Sequence, residues 1–194
     1  HADVDIFSKI PEHTKNLFQA GLSIMLYYPR EGHSLEDWFL NIYKNLQKNN
    51  LLNANILFVF GDPDILVNYK IFLKDHNLNI RGIAVEPASC PVLSQGRSGV
   101  HKPQGLSSGH VPDVLDVDII DEILTVENDK AIQMARRLAR LEGTAVGISS
   151  GAAAVACVRL VKIPELKGKR IVTIFADGAS RYFSTEIFNG FDAD

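Results

Sequence analysis

The chain has 194 residues, of which 46% are hydrophobic and 22% are charged, and its formal net charge is −3. This length can bury one substantial core, so we expect one domain rather than two independent ones. The small negative charge provides no basic field, which argues against nucleic acid or an anionic membrane surface as a partner.

The first fifty residues carry helical and strand patterns separated by a turn. They predict a helix over Thr14–Ala20, a strand over Leu22–Tyr28 and a second helix over Ser34–Asn50. Ser34 and Asp37 have the spacing of a capping box at the start of the second helix. A polar stretch follows, and we interpret residues 1–53 as a remnant or remodelled amino-terminal segment.

From residue 54 to 194 the pattern changes to short apolar runs that alternate with helical periods. This alternation predicts an α/β domain with a doubly wound, mostly parallel sheet flanked by helices. The predicted strands are the central Ile56–Phe60, Ile80–Val85 and Arg170–Phe175, with Glu122–Val126 as a further strand. Between the first two lies a predicted helix, Ile65–His76, and such a crossover is expected to be right-handed.

A second helix is predicted over Asn128–Glu142, with Asn128 as its N-cap and Gly143 as its end. Its arginines fit a solvated helix face, and we assign them no role in binding. No stretch approaches the roughly 20 apolar residues of a spanning helix. We expect a cytoplasmic protein, in which Cys90 and Cys157 are structural thiols because neither has a partner at metal-ligand spacing.

The segment GISSGAAAVA, Gly147 to Ala156, places two hydroxyls and a glycine before a helix of very small residues. Ser149 or Ser150 is expected to cap the helix, and the alanines allow close packing. Two interpretations remain open from these residues alone. One is a well-capped core helix, which the composition favours, and the other is a helix start that approaches a flat ligand.

Longer motifs on both sides of this segment resemble those of a known family. The stretch VEPASCPVLSQGRSGVHKPQGLSSGHVPDVLD, the helix ending at Gly143, GISSGAAA and RYFST occur in the order typical of cysteine synthases, over Asn55 to Phe188. The chain therefore resembles the cysteine synthase (O-acetylserine sulfhydrylase) and cystathionine β-synthase family. These are fold type II pyridoxal-phosphate enzymes, and only their carboxyl-terminal half, the half that includes the large lobe, is matched.

The resemblance implies pyridoxal phosphate as the cofactor, with Ser149 at its pyridine nitrogen and Gly147 and Ser150 beside it. A neutral hydroxyl there leaves the ring nitrogen largely unprotonated, which suits β-replacement. The family's substrate-side loop GIGAGF matches a run that includes Gly105, Ser107, Ser108 and Gly109, followed by His110 in place of an aromatic residue.

Three further motifs depart from the family. Its glycine-rich phosphate turn corresponds to Phe60-Gly61-Asp62-Pro63-Asp64, which keeps Gly61 but adds two carboxylates and loses a backbone donor at the proline. The NPxxSxKxR segment with the lysine that anchors the cofactor, and the SGNTG substrate turn, do not occur in this chain. Lys9 is the one early candidate for the lysine, and it is a weak one.

Three functions follow from this pattern. The first is a cysteine-synthase-like protein that is catalytically impaired or inactive and acts by binding or regulation. The second is a cysteine synthase completed by a lysine lobe from another chain, and the third is a fragment without a separate function. Partners implied by the family are a second copy, forming a homodimer, or the carboxyl-terminal peptide of a serine acetyltransferase. We predict no metal site or catalytic triad, and Asp177 is set aside because no carboxylate lies near it in sequence.

Overall fold

The computed structural model describes residues 22–26, 34–48, 56–60, 69, 74–75, 79–102, 106–107, 109–113, 115–167, 169–182 and 185–188. Five strands and four α-helices follow one another along these residues. In chain order they are β1 (Leu22–Leu26), α1 (Leu35–Lys48), β2 (Ile56–Phe60), β3 (Arg81–Pro87), α2 (Val92–Gln95), β4 (Glu122–Val126), α3 (Asn128–Glu142), α4 (Ile148–Val161) and β5 (Arg170–Phe175). Short 3-10 helices cover Val117–Ile119, Pro164–Leu166, Ala179–Tyr182 and Glu186–Phe188.

The five strands form one sheet in the order β1-β5-β2-β3-β4, and every pairing is parallel. The chain advances from β2 to β3 and β4 on one side, and then returns to place β5 on the other side of β2. Since crossovers between parallel strands are right-handed, the two directions of winding place helices on opposite faces. The predicted doubly wound α/β architecture is therefore confirmed.

The strand predictions are confirmed with small shifts in their bounds. The third strand runs over Arg81–Pro87 rather than Ile80–Val85, because Glu86 and Pro87 still pair with Thr125 and Val126 of β4. The predicted helix Thr14–Ala20 lies outside the described residues, and of Ile65–His76 only three residues are described. The division of the chain after residue 53 stays a prediction.

Two predicted helix ends follow local sequence signals, and a third does not. Asp37 N–H donates to Ser34 Oγ at 3.1 Å and Ser34 N–H donates to Asp37 Oδ2 at 3.1 Å, which confirms the capping box. Gly143, at φ +64°, ends α3 as predicted. Asn128 as an N-cap is wrong. Glu127 holds that position, and Asn128 instead directs its amide to Ser89 Oγ at 3.4 Å.

The core lies where α3 and α4 pack together and α4 lies on the sheet. Almost every residue of α4 up to Cys157 is buried, and the small side chains of this helix allow that approach. A Cβ atom at Gly151 would fall within van der Waals distance of Ala131 O and lie 3.0 Å from Ala135 Cβ. Glycine and alanine in α4 therefore set the distance between the two helices.

Glu86 is a buried carboxylate, 1% exposed, that holds the start of α2. Its Oε2 accepts from Leu93 N–H at 2.8 Å, and its Oε1 accepts from Ser94 N–H at 3.1 Å and from the Ser94 hydroxyl. Both backbone donors belong to the first turn of a helix, where no intrahelical acceptor exists. The side chain therefore joins the end of β3 to the following helix.

We expect Glu86→Ala to lower the free energy of unfolding by about 2 to 3 kcal/mol, because it leaves buried donors without an acceptor. Chemical denaturation measures this loss. Glu122→Ala is the matched control, since Glu122 is half-exposed and pairs with Arg81 at 3.1 Å. Such a surface pair contributes about 1 kcal/mol or less. Equal losses in the two variants would contradict the role of Glu86.

Cys157 is fully buried on α4, and burial raises the pKa of its thiol from 9.0 to about 12. Because the folded-state pKa lies above the unfolded value, this contribution to stability is complete below pH 9 and decreases as the pH rises toward 12. We expect Cys157→Ala to unfold with a flatter pH dependence than the wild type above pH 9. Thermal unfolding measured from pH 8 upward checks this, and equal pH dependence in the variant and the wild type would contradict it.

Candidate functional site

The candidate site lies at the carboxyl edge of the sheet, beside β2 and β5. These neighbouring strands end at Phe60 and Phe175, and the chain reaches β5 by returning from β4 past β3 and β2. In open α/β sheets, ligands bind in the crevice outside the carboxyl ends of the strands, where the direction of winding reverses. The described segments considered at this edge are therefore the residues after β5 and the start of α4.

The start of α4 carries two hydroxyls in its first turn, and no side chain caps the helix. Gly147 is the N-cap residue, and no side chain caps the helix, so the prediction that Ser149 or Ser150 does so is wrong. Both serines lie inside the first turn. Ser149 is half-buried, whereas Ser150 is 1% exposed and its Oγ has no hydrogen-bond partner among the described residues. The first-turn N–H groups of a helix also lack intrahelical acceptors.

The loop after β5 is fastened to the segment before α4. Gly147 N–H donates to Asp177 O at 3.2 Å, Ala179 N–H donates to Ala145 O at 3.0 Å, and Val146 forms an antiparallel bridge with Gly178. These contacts place Asp177 directly against Gly147. Even a Cβ atom at Gly147 would overlap the Asp177 carboxylate and lie 2.6 Å from Tyr182 Cε2.

Asp177 has one satisfied and one unsatisfied carboxylate oxygen. Tyr182 Oη donates to Asp177 Oδ2 at 2.6 Å, whereas the buried Oδ1 has no partner in the described part of the chain. Burial, with the adjacent Asp177 as a second cause, raises the pKa of Tyr182, so its phenol stays protonated and keeps donating. Sequence reasoning set this residue aside, although its position two residues after a predicted central strand was a usable signal.

The substrate-side loop is held by a separate group of contacts. Ser107 Oγ lies 3.5 Å from Cys90 Sγ and accepts from Gly109 N–H at 3.3 Å, while Ser107 O lies 2.8 Å from His101 Nε2. Gly109 has φ +83°, a left-handed conformation that glycine adopts without strain. Cys90 also accepts from Gly99 N–H at 3.3 Å, so its thiol is structural, as predicted.

Several predicted site residues lie outside the described part of the chain. These are Lys9, Gly61 with the two aspartates that follow it, Gly105 and Ser108. The roles assigned to them stay predictions. In the described ranges no group of three potential metal ligands occurs. No helix in those ranges is long and apolar enough to cross a bilayer.

Sequence comparison finds relatives of this chain. The family described as pyridoxal-phosphate dependent enzyme matches residues 69–177, more than half of the chain. A cysteine synthase from Haemophilus influenzae is 44% identical over 124 residues, which are 61% of this chain and 39% of that protein. One from Staphylococcus aureus is 46% identical over 118 residues, which are 60% of this chain and 37% of that protein.

Solved structures give the same result at the level of the fold. O-acetyl serine sulfhydrylase isoform 3 from Entamoeba histolytica superimposes with a TM-score of 0.73 at 28% identity, over 82% of this chain and 48% of that one. An O-acetylserine dependent cystathionine β-synthase from Helicobacter pylori gives 0.67 at 29% identity, over 79% and 50%. The chain thus spans about half the length of these proteins or less, which fits the half predicted from the motif order. It belongs to the pyridoxal-phosphate dependent enzyme family.

Proposed function

We propose that this chain is a cysteine-synthase-like protein that is catalytically impaired or inactive by itself and acts by binding. The start of α4 is the part that contacts the ligand. The observation that carries this proposal is the pair of buried, unpartnered oxygens beside Ser149, namely Ser150 Oγ and Asp177 Oδ1. A buried polar atom without a partner costs about 1 to 3 kcal/mol, and a polar ligand recovers that free energy.

These residues fit the ring side of pyridoxal phosphate. Ser149 would hold the ring nitrogen, and Gly147 and Ser150 would line the turn beside the ring, where small residues allow close approach. When bound, the cofactor supplies an electron sink for negative charge that develops on the substrate. In the sequence after β2, Asp62 and Asp64 stand where the family binds the phosphate, and each opposes a dianion by about 1 kcal/mol or more. Weak binding is therefore expected.

Catalysis requires groups that this chain's sequence does not provide. In the family a lysine anchors the cofactor and removes the substrate α-proton, and the motif that carries it does not occur here. The partial span of the relatives favours one second candidate, a working cysteine synthase whose lysine lobe is supplied by another chain. The third interpretation is a fragment without a separate function.

The binding partner we propose is the carboxyl-terminal peptide of a serine-acetyltransferase-like protein, or a second copy of the chain. The substrate-side loop supports a peptide, because the bond from Gly109 N–H to Ser107 Oγ and the left-handed φ of Gly109 define its conformation. Capture of a terminal carboxylate by such backbone groups is a common form of peptide recognition.

Titration of the purified chain with pyridoxal phosphate tests the proposal. We expect saturable binding without a lysine-linked visible absorption band, and no turnover of O-acetylserine with sulfide. Ser149→Ala is expected to weaken binding about five- to tenfold, the equivalent of one hydrogen bond. Ser98→Ala, in an exposed loop, is the matched control and should bind like the wild type.

Other outcomes separate the alternatives. A stoichiometric visible band that Lys9→Ala abolishes would contradict the inactive interpretation, and turnover that appears only after a lysine-lobe chain is added would support the second candidate. Saturable binding of the acetyltransferase peptide without cofactor binding would favour a peptide-binding module. Non-cooperative unfolding of the chain would favour the fragment.

A further inference from the structure

A group of unpaired cations lies just before β5. Residues 162–170, here called the basic segment, carry four basic side chains and one acidic side chain. Ile163 is 37% exposed among them. In the described part of the chain, no ion pair is formed by any of the four basic residues, Lys162, Lys167, Lys169 and Arg170. Like charges held together on a surface create a potential that attracts a surface of the opposite sign.

A segment of the opposite charge lies before β4. Residues 113–122, here called the acidic segment, carry five carboxylates and no Lys or Arg. Two of these carboxylates form ion pairs with basic residues at or near the start of β3. Asp113 and Asp118 are exposed and have no ion pair within the described ranges, and Val117 is 47% exposed. The acidic segment therefore has unpaired charges and an exposed apolar residue, as the basic segment has.

Both segments lie at the amino edge of the sheet. Lys169 immediately precedes β5, and Asp121 immediately precedes β4 and donates its N–H to Gly82 O at 2.9 Å. In the order β5-β2-β3-β4, these two strands are three positions apart. At about 4.8 Å for each position, roughly 14 Å separates the two strand starts. An ion pair requires about 4 Å or less, so the two segments do not neutralise each other within one chain.

We propose that the amino edge of the sheet binds a second copy of this chain across a two-fold axis. The basic segment of each copy lies against the acidic segment of the other, and Ile163 of one copy packs against Val117 of the other. In a two-fold interface every contact occurs twice, so a surface that carries both charges side by side is complementary to itself. Charge complementarity of this kind suppresses wrong partners and defines the register of the interface.

This inference specifies the surface that binds the second copy, and it does not depend on the ligand site. The start of α4 lies at the carboxyl edge of the sheet, so the two interactions use different edges of the molecule. A chain that binds pyridoxal phosphate but stays monomeric would overturn the dimer and leave the ligand site in place. A dimer that binds no cofactor would do the reverse.

Sedimentation equilibrium of the whole chain, over a range of protein and salt concentrations, tests the proposal. Exposed ion pairs are individually weak and are screened by salt, so we expect a dimer whose dissociation constant rises about tenfold between about 0.05 and 0.5 M NaCl. Association should stop at the dimer. Growth beyond the dimer would overturn the two-fold axis, because head-to-tail contacts between the same segments form rings or filaments.

Charge reversal tests the two segments separately. The double variant Lys167→Glu with Lys169→Glu reverses the net sign of the basic segment. The double variant Asp113→Lys with Asp118→Lys reverses the sign of the acidic-segment charges that are not already in ion pairs. Each variant alone should dimerise at least about tenfold more weakly than the wild type, because like charges then face each other. An equal mixture of the two should form dimers again, since each reversed segment meets its opposite.

The matched control is Arg97→Glu with Arg137→Glu, which reverses two exposed charges outside both segments. It changes the net charge as much as the basic-segment variant does, and it should dimerise like the wild type. A monomeric wild type at low salt would overturn the inference. Equal dimerisation of the control and both reversal variants would also overturn it. If a reversal variant does not fold, the salt dependence of the wild type decides, and a dimer insensitive to salt would contradict the proposal.

Discussion

Replacing Gly151 by alanine is expected to lower the free energy of unfolding by about 2 to 3 kcal/mol. In a helix interior the same change normally stabilises a protein by about 0.5 to 1 kcal/mol, so the expected sign is reversed. The reason is the contact between α3 and α4. The new Cβ atom would overlap Ala131 O and lie 3.0 Å from both Ala135 Cβ and Ala135 N. Backbone atoms of a packed helix cannot move aside cheaply.

Chemical denaturation of the variant measures this effect. Gly143→Ala is the control, because nothing lies within 4 Å of a Cβ atom at this position and its φ is +64°. That variant carries only the strain of a left-handed alanine, about 1 to 2 kcal/mol. A neutral or stabilised Gly151→Ala would show that the two helices separate readily and that the close packing is not required.

Gly147→Ala is expected to disrupt ligand binding at the start of α4 more than it disrupts the fold. The added methyl group would overlap the Asp177 carboxylate and press on Tyr182 Cε2, 2.6 Å away. Side chains can rotate away from this clash, so we expect a loss of about 1 to 3 kcal/mol in stability. The displaced side chains would crowd the turn that contains Ser149, where the proposed ligand binds. Affinity for pyridoxal phosphate should therefore fall about five- to tenfold, the equivalent of one hydrogen bond.

Parallel measurements of unfolding and of affinity separate these two effects. Gly143→Ala again serves as the reference, since it strains the backbone at the end of α3, away from the start of α4. It should lose stability but retain the wild-type affinity. Unchanged affinity in Gly147→Ala would mean that the ligand does not contact this turn, which would count against Ser149 as its partner.

The two glycines explain why α4 begins as GISSGAAA. Gly147 allows the loop after β5 to approach the start of the helix, and Gly151 allows α3 to cross it one turn later. The interpretation of this segment as a core helix is supported by its burial. The capping that this interpretation assumed is absent, because Ser149 and Ser150 lie inside the first turn. This segment therefore combines close packing of α4 with a helix start that no side chain caps.

Local signals in the sequence were sufficient for most elements of the fold. Strands buried on both faces of a parallel sheet require unbroken apolar runs, which is why β2, β3 and β5 could be predicted within two residues of their observed bounds. The capping box of Ser34 and Asp37 involves residues three apart, so their spacing alone determines the contact. The order of the motifs was also sufficient to predict the family.

Tertiary structure decided what depends on residues distant in sequence. Asn128 has the side chain of an N-cap, but Ser89, 39 residues earlier, takes its amide. The Asp177 carboxylate lies against Gly147, which is 30 residues before it in the chain. No periodicity or motif in the sequence predicts that contact. Local propensities are energies of single residues and near neighbours, and they determined the strands, the capping box and the end of α3 at Gly143. The placement of the Asp177 carboxylate beside Gly147 depends on how β5 and α4 pack, and that is a property of the folded chain alone.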